Sequence, residues 1–113
     1  MRNIEASIQK AVISWCRNHD NPLYHEIFHV PNGEKRDKIT AFKLKRQGVV
    51  AGVSDLCLPL PGGKTLWIEL KTQKGRLSVM QKKLIARWAE IGHIVKVAYG
   101  YTECIELLEG VVR

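Results

Sequence analysis

The sequence predicts a mixed α/β fold, a central mixed sheet with helices on both faces, and three observations predict it. Helical and strand periodicities alternate in the order helix, strand, basic insert, strand, strand, helix, strand, helix. Two of the strands are joined by a tight Pro-Gly-Gly turn, which makes an antiparallel hairpin, and the last strand follows a helix, which suits a crossover. The length of 113 residues fits one domain with one core, so residues 1–113 are expected to form a single unit.

Asn3 to His19 reads as the first helix, with Asn3 as a plausible N-cap and Ile4, Ile8, Ala11, Val12 and Trp15 as the apolar stripe. Asn21-Pro22 ends it. Leu23 to Val30 is rich in aromatic and β-branched residues and predicts a strand, closed by Pro31-Asn32-Gly33. Glu34 to Gln47 is charged and weakly periodic, either a short helix or a mobile basic loop. Asp55 to Leu60 is the next strand, Pro61 to Lys64 the turn, and Thr65 to Lys71 the hairpin partner.

Ser78 to Ile91 carries the clearest helical pattern. Met80, Leu84, Ile85, Trp88 and Ala89 predict its buried stripe, and Gly92 its stop. Ile94 to Tyr99 is continuously apolar, which predicts a central strand. Thr102 to Leu108 is expected as a last helix capped by Thr102.

Composition narrows the function. No apolar run approaches the ~20 residues that span a bilayer, and the N-terminus reads as an amphipathic helix rather than a signal peptide. The three cysteines, Cys16, Cys57 and Cys104, are odd in number and widely spaced, which suits reduced thiols in a cytoplasmic protein. The net charge is +7. Between Lys35 and Arg87 there are thirteen Lys or Arg but three acidic residues, two of them Asp55 and Glu69. Isolated carboxylates in a basic surface point to a polyanionic substrate and a cationic cofactor, against a merely solvated basic face.

The chemistry concentrates in Gly52-Val53-Ser54-Asp55-Leu56 and Trp67-Ile68-Glu69-Leu70-Lys71. Successive strand residues alternate faces, so Glu69 and Lys71 share one while Ile68 and Leu70 pack on the other. Charges in a strand that lies between others need a partner or a metal. Asp55 and Glu69 offer hard oxygens, with the Leu70 backbone carbonyl between the Glu69 and Lys71 side chains, and such ligands suit Mg²⁺ or Mn²⁺. Lys71 would orient a water or stabilise charge on a phosphate. Asp55 at a strand start also has an ordinary reading as a local turn residue, and Gly52 would let backbone or substrate approach closely. Glu5 is either a first-turn residue favoured by the helix dipole or one reaching inward over the sheet. Gln81 is either the third residue of a capping box with Ser78 or a contact to the scissile phosphate or a base.

His25-Glu26-Ile27-Phe28-His29 matches the HExxH zinc-peptidase pattern, which requires a helix. Pinned between Pro22 and Pro31, the segment is too short for one, and in a strand its histidines would sit roughly 13 Å apart at ~3.3 Å per step. Cys16-x-x-His19 lacks a second pair at metal-ligand spacing. Lys35, Arg36, Lys38, Lys43, Lys45 and Arg46, with Lys74 and Arg76 after the Glu69 strand, are candidates for phosphate contact, which supplies affinity without sequence reading.

Glu5, His29-x-Pro31-Asn32-Gly33, Gly52-Val53-Ser54-Asp55-Leu56, Glu69-Leu70-Lys71 and Leu77-Ser78-x-x-Gln81 fall in an order that resembles VRR-NUC domains of the PD-(D/E)XK nuclease superfamily. The resemblance covers nearly the whole chain. It is similar to stand-alone domains of the kind found in phages and to the nuclease domain of the Fanconi-associated nuclease. Ser54 departs from the proline that often precedes the aspartate in the family.

The resemblance implies a restriction-endonuclease-like αβββαβ core. It implies that Asp55 and Glu69 bind metal, that Lys71 is catalytic, and that Glu5 and Gln81 belong to the site. It further implies a metal-dependent, structure-selective DNA endonuclease, a homodimer acting on branched DNA such as four-way junctions in the cytoplasm of a phage-infected or bacterial cell. No membrane partner and no organic cofactor are expected. The alternatives are a module that binds branched or duplex nucleic acid without cutting it, and a zinc peptidase built on His25 and His29.

Overall fold

The computed structural model describes residues 4–31 and 37–112. Its helices are α1 (Ile4–Arg17), α2 (Lys38–Arg46), α3 (Val79–Glu90) and α4 (Tyr101–Val112), and its strands β1 (Phe28–His29), β2 (Leu56–Leu60), β3 (Lys64–Lys71) and β4 (Ile94–Tyr99). The strands form one sheet in the order β1-β2-β3-β4. β2 pairs antiparallel with both β1 and β3, whereas β4 runs parallel to β3, as a connection through a helix requires. The αβββαβ order is therefore present, with α2 inserted before β2 and α4 added at the end.

Alternation along β3 divides the molecule into layers. Leu66, Ile68 and Leu70 are buried with Val12 and Cys16 of α1 and Cys104 and Leu108 of α4 in the main core. Trp67 and Glu69 face the other way, toward α3, where the Trp67 and Trp88 rings lie 4.8 Å apart. The sheet thus has helices on both faces, an apolar layer under α1 and α4 and a more polar one under α3. Cys16, Cys57 and Cys104 are free buried thiols, and burial pushes Cys16 up to about 11 and Cys104 to about 12. Among the described residues no helix is long and apolar enough to cross a membrane.

Several elements differ from the expectations. Leu23 to Val30 is mostly a 3-10 turn over Pro22–Glu26, and only Phe28 and His29 are strand. The turn wins because Asn21 Oδ1 accepts the Leu23 N–H at 3.0 Å, Pro22 occupies the first position, and the Tyr24 hydroxyl donates to the Leu108 carbonyl at 3.2 Å. Among the described residues β4 is an edge strand rather than a central one; it pairs only with β3, and α3 and α4 both pack against it. The stripe on α3 is only half-buried at Leu84, Ile85 and Trp88, while Met80 is 42% exposed and Ala89 faces solvent.

The last helix starts at Tyr101, so Thr102 lies inside it, and Glu103 Oε1 accepts the Tyr99 N–H at 2.9 Å. Of the stretch Glu34 to Gln47, residues 34–36 lie outside the described residues and Lys38–Arg46 is helix α2, where the Asp37 carboxylate accepts the Thr40 N–H at 2.7 Å. The turn at Asn32-Gly33 lies outside the described residues.

Other expectations are met with their chemistry intact. α3 ends in a Schellman arrangement, with His93 N–H donating to the Trp88 carbonyl at 3.0 Å and Gly92 N–H to the Ala89 carbonyl at 3.2 Å. Gly92 has φ +110°, which only glycine adopts without strain.

Candidate active site

The site forms where β2 begins and β3 ends. Leu56 pairs with Ile68, so one further step in that register sets Asp55 opposite Glu69. There the ladder stops, and the Asp55 Oδ2 accepts the Leu70 N–H at 2.8 Å in place of a backbone carbonyl. In an extended strand a residue's N–H and C=O project to the same side, so the Leu70 carbonyl lies toward Asp55 as well. Asp55 is itself held through its own carbonyl, which accepts from Val30 N–H at 2.8 Å and pairs with His29 Nδ1 at 2.9 Å.

Glu69 is 1% exposed, an extreme position for a carboxyl group. Its Oε2 accepts from Gln81 Nε2 at 2.8 Å and lies 3.9 Å from the Lys71 ammonium. Among the described residues its Oε1 has no hydrogen-bond partner. Burial pushes the Glu69 carboxyl up to about 8; the neighbouring Asp55 carboxylate adds to the rise, and Lys71 opposes it. Desolvation therefore outweighs the ion pair. A buried carboxyl with an orphaned oxygen beside a second carboxylate is a place where a cation would restore the charged form.

Glu5, near the start of α1, is half-buried. Burial raises its carboxyl above the ordinary range, Lys71 lowers it and Asp55 raises it, so it shares the electrostatic environment of the other three residues. Among the described residues no three His, Cys, Asp or Glu side chains converge to hold a metal by themselves.

The capping-box reading of Gln81 holds, and the same side chain also reaches a site carboxylate. Its Oε1 accepts the Ser78 N–H at 2.8 Å, its N–H donates to Ser78 Oγ at 3.1 Å, and the remaining amide N–H reaches Glu69. The capping box thus aims the side chain at the sheet. The expected close approach at Gly52 is made by α3 itself: a Cβ there would come within 2.8 Å of the Met80 carbonyl carbon and oxygen and 3.0 Å of Gln81 N. Gly75 does the same for Lys71, since a Cβ on it would lie 3.3 Å from Lys71 Cβ and Cδ. No sequence signal separates Gly75 from an ordinary turn glycine.

The remaining candidates do not join this cluster. Lys43, Lys45 and Arg46 are exposed on α2, which buries none of its residues, and Lys74 and Arg76 are exposed in the loop between β3 and α3. Lys35 and Arg36 lie outside the described residues. His25 and His29 are split between the 3-10 turn and β1; His25 Nε2 bonds the His19 carbonyl at 2.8 Å while His29 turns to Asp55. The zinc-peptidase geometry is absent, because the pair belongs to different elements with different partners.

The comparisons with known proteins agree with the fold. The family model of the VRR-NUC domain matches residues 3–102. The chain belongs to the VRR-NUC family. A solved structure described as a VRR_NUC domain protein is 28% identical, with a TM-score of 0.79 over 94% of this chain and 85% of that one. A second, described as a VRR_NUC domain, shares the fold at 19% identity and a TM-score of 0.65, over 93% of this chain and 94% of that one. No curated protein matches. As a VRR-NUC domain the chain sits in a nuclease-like family, with the restriction-endonuclease-like arrangement of sheet and helices.

Proposed function

We propose that this VRR-NUC chain is a Mg²⁺- or Mn²⁺-dependent endonuclease that hydrolyses phosphodiester bonds in branched DNA, four-way junctions foremost. The observation that supports it is Glu69, a fully buried carboxyl with an unpartnered Oε1, set opposite Asp55 and 3.9 Å from the Lys71 ammonium. Asp55, Glu69 and the Leu70 carbonyl would hold the ion, with Glu5 assisting directly or through water. A divalent ion bound there would polarise the phosphoryl oxygens and acidify a water.

The protein's own groups do the rest. Lys71 donates hydrogen bonds that orient the attacking water and offset charge growing on the phosphate. Gln81 holds Glu69 Oε2, so this carboxylate keeps one orientation. The cations of α2 and of the loop after β3 attract the phosphate backbone.

Residues 1–113 act as one unit in this reading, and cutting two strands symmetrically takes two such units related by a two-fold axis, hence a homodimer. Its place of action is the cytoplasm of the cell that holds the DNA.

The test is cleavage of labelled four-way, flap, nicked and hairpin substrates with and without Mg²⁺. Cleavage of the junction that needs metal and disappears in Asp55→Ala and Lys71→Ala is expected. Wild-type rates in either variant would reject these roles. Tight metal-independent binding with no cut on any substrate would favour a non-catalytic binding module.

A further inference from the structure

Asp55 lies in a bend one residue before β2, so regular strand pairing does not fix it. Three hydrogen bonds do. Its Oδ2 takes the Leu70 N–H from β3 at 2.8 Å. Its carbonyl takes the Val30 N–H at 2.8 Å and meets His29 Nδ1 at 2.9 Å. A carbonyl oxygen has two lone pairs, and both are engaged. Because it can only accept, the His29 proton sits on Nδ1, and Nε2 is the ring nitrogen left for other partners. β1 is two residues long and its exposed side chains add nothing to the core, yet His29 pairs with Leu56 directly beside Asp55.

We propose that His29 is a positioning residue for Asp55: its Nδ1–H fixes the Asp55 backbone, so that the carboxylate meets a divalent cation in one orientation. The inference rests on the reading of Asp55 as a metal ligand. Partners of this kind, one bond removed from a ligand, typically alter metal affinity about 10–100-fold when lost. The geometry also distinguishes which nitrogen matters. The amide nitrogen of asparagine falls near the position of Nδ1, and that of glutamine near Nε2.

The experiment compares His29→Ala, His29→Asn and His29→Gln by two measurements on the whole chain. One is Mn²⁺ binding by titration calorimetry. The other is hydrogen exchange of the Leu70 amide in metal-free protein, which reports how firmly Asp55 holds it. Alanine and glutamine are expected to weaken Mn²⁺ binding about tenfold and to speed Leu70 exchange, and asparagine to restore both toward wild type.

Restoration by glutamine but not asparagine would overturn the proposal, because the ring would then act through Nε2. Equal behaviour of asparagine and glutamine, or wild-type values for alanine, would overturn it too. If alanine fails to fold, the asparagine–glutamine contrast decides. If wild-type protein binds no Mn²⁺, the metal reading of Asp55 fails, and Leu70 exchange still decides whether His29 holds Asp55.

Discussion

Gly52 ties helix α3 to the candidate site, and replacing it by alanine perturbs that link in a calculable way. At φ +90° an alanine is strained by about 1–2 kcal/mol. Its Cβ would also stand 2.8 Å from Met80 backbone atoms, whereas ordinary contact begins at 3.4 Å, so the first turn of α3 must retreat by the difference, 0.6 Å. Backbone cannot swing aside as a side chain would, and overpacking of this kind costs about 1–3 kcal/mol.

Gly48 is the control. It has φ +103° and nothing within 4 Å of an added Cβ, so Gly48→Ala carries the strain without the collision. Both substitutions remove the same unfolded-chain freedom, and that contribution cancels between them. In urea unfolding followed by circular dichroism, Gly52→Ala is expected to be less stable than Gly48→Ala by about 1–3 kcal/mol. Retreat of α3 also pulls Gln81 from Glu69, a bond of 2.8 Å now, so junction cleavage by the folded fraction of Gly52→Ala should fall well below that of Gly48→Ala. Equal stabilities together with equal cleavage rates would refute the reasoning.

Ser78→Ala removes the cap but not the Gln81–Glu69 bond, so it should lower stability by about 1 kcal/mol while cleavage by folded protein persists; Gln81→Ala should reduce both, as a paired thermal-melt and cleavage assay would show. Glu69, raised from 4.5 to about 8, binds its proton more tightly folded than unfolded, so the benefit is complete below pH 4.5 and is lost as pH rises to about 8. Metal-free protein should therefore lose melting temperature across that window, by at most about 1.4 kcal/mol of stability per pH unit from this group, and Glu69→Gln should flatten the slope. Lys43→Glu with Arg46→Glu on α2 should weaken DNA binding and shrink its salt dependence by roughly one unit of slope per lost phosphate contact, with unfolding unchanged because the helix buries no residue.

Local patterns carried much of this site. The alternation in Trp67 to Lys71 already puts Glu69 and Lys71 on one face, and the chain between Ser78 and Gln81 already spells a capping box. Neither pattern says what the other does. Gln81 meets Glu69 only because α3 covers the α3-facing side of β3, and Gly52 is needed only because the first turn of that helix passes over it. The weak readings failed for the same reason. Leu23 to Val30 has strand composition, but Tyr24 is drawn into the core by a carbonyl 84 residues away. β4 is apolar like a central strand because α3 and α4 both pack against it, yet among the described residues it pairs with β3 alone.

By itself, then, the sequence determined most of the element order, the Ser78–Gln81 capping box and the pairing of acid with base on β3, because periodicity and turn chemistry depend on neighbours within about four residues. Tertiary structure decided the rest: that Asp55 stands opposite Glu69, that Glu69 is almost wholly desolvated with one oxygen unpaired, and that Glu5, His29 and Gln81 arrive from three other elements. Burial and electrostatic coupling are set by segments distant along the chain, so the raised Glu69 carboxyl beside Asp55 exists only once the sheet has closed around it.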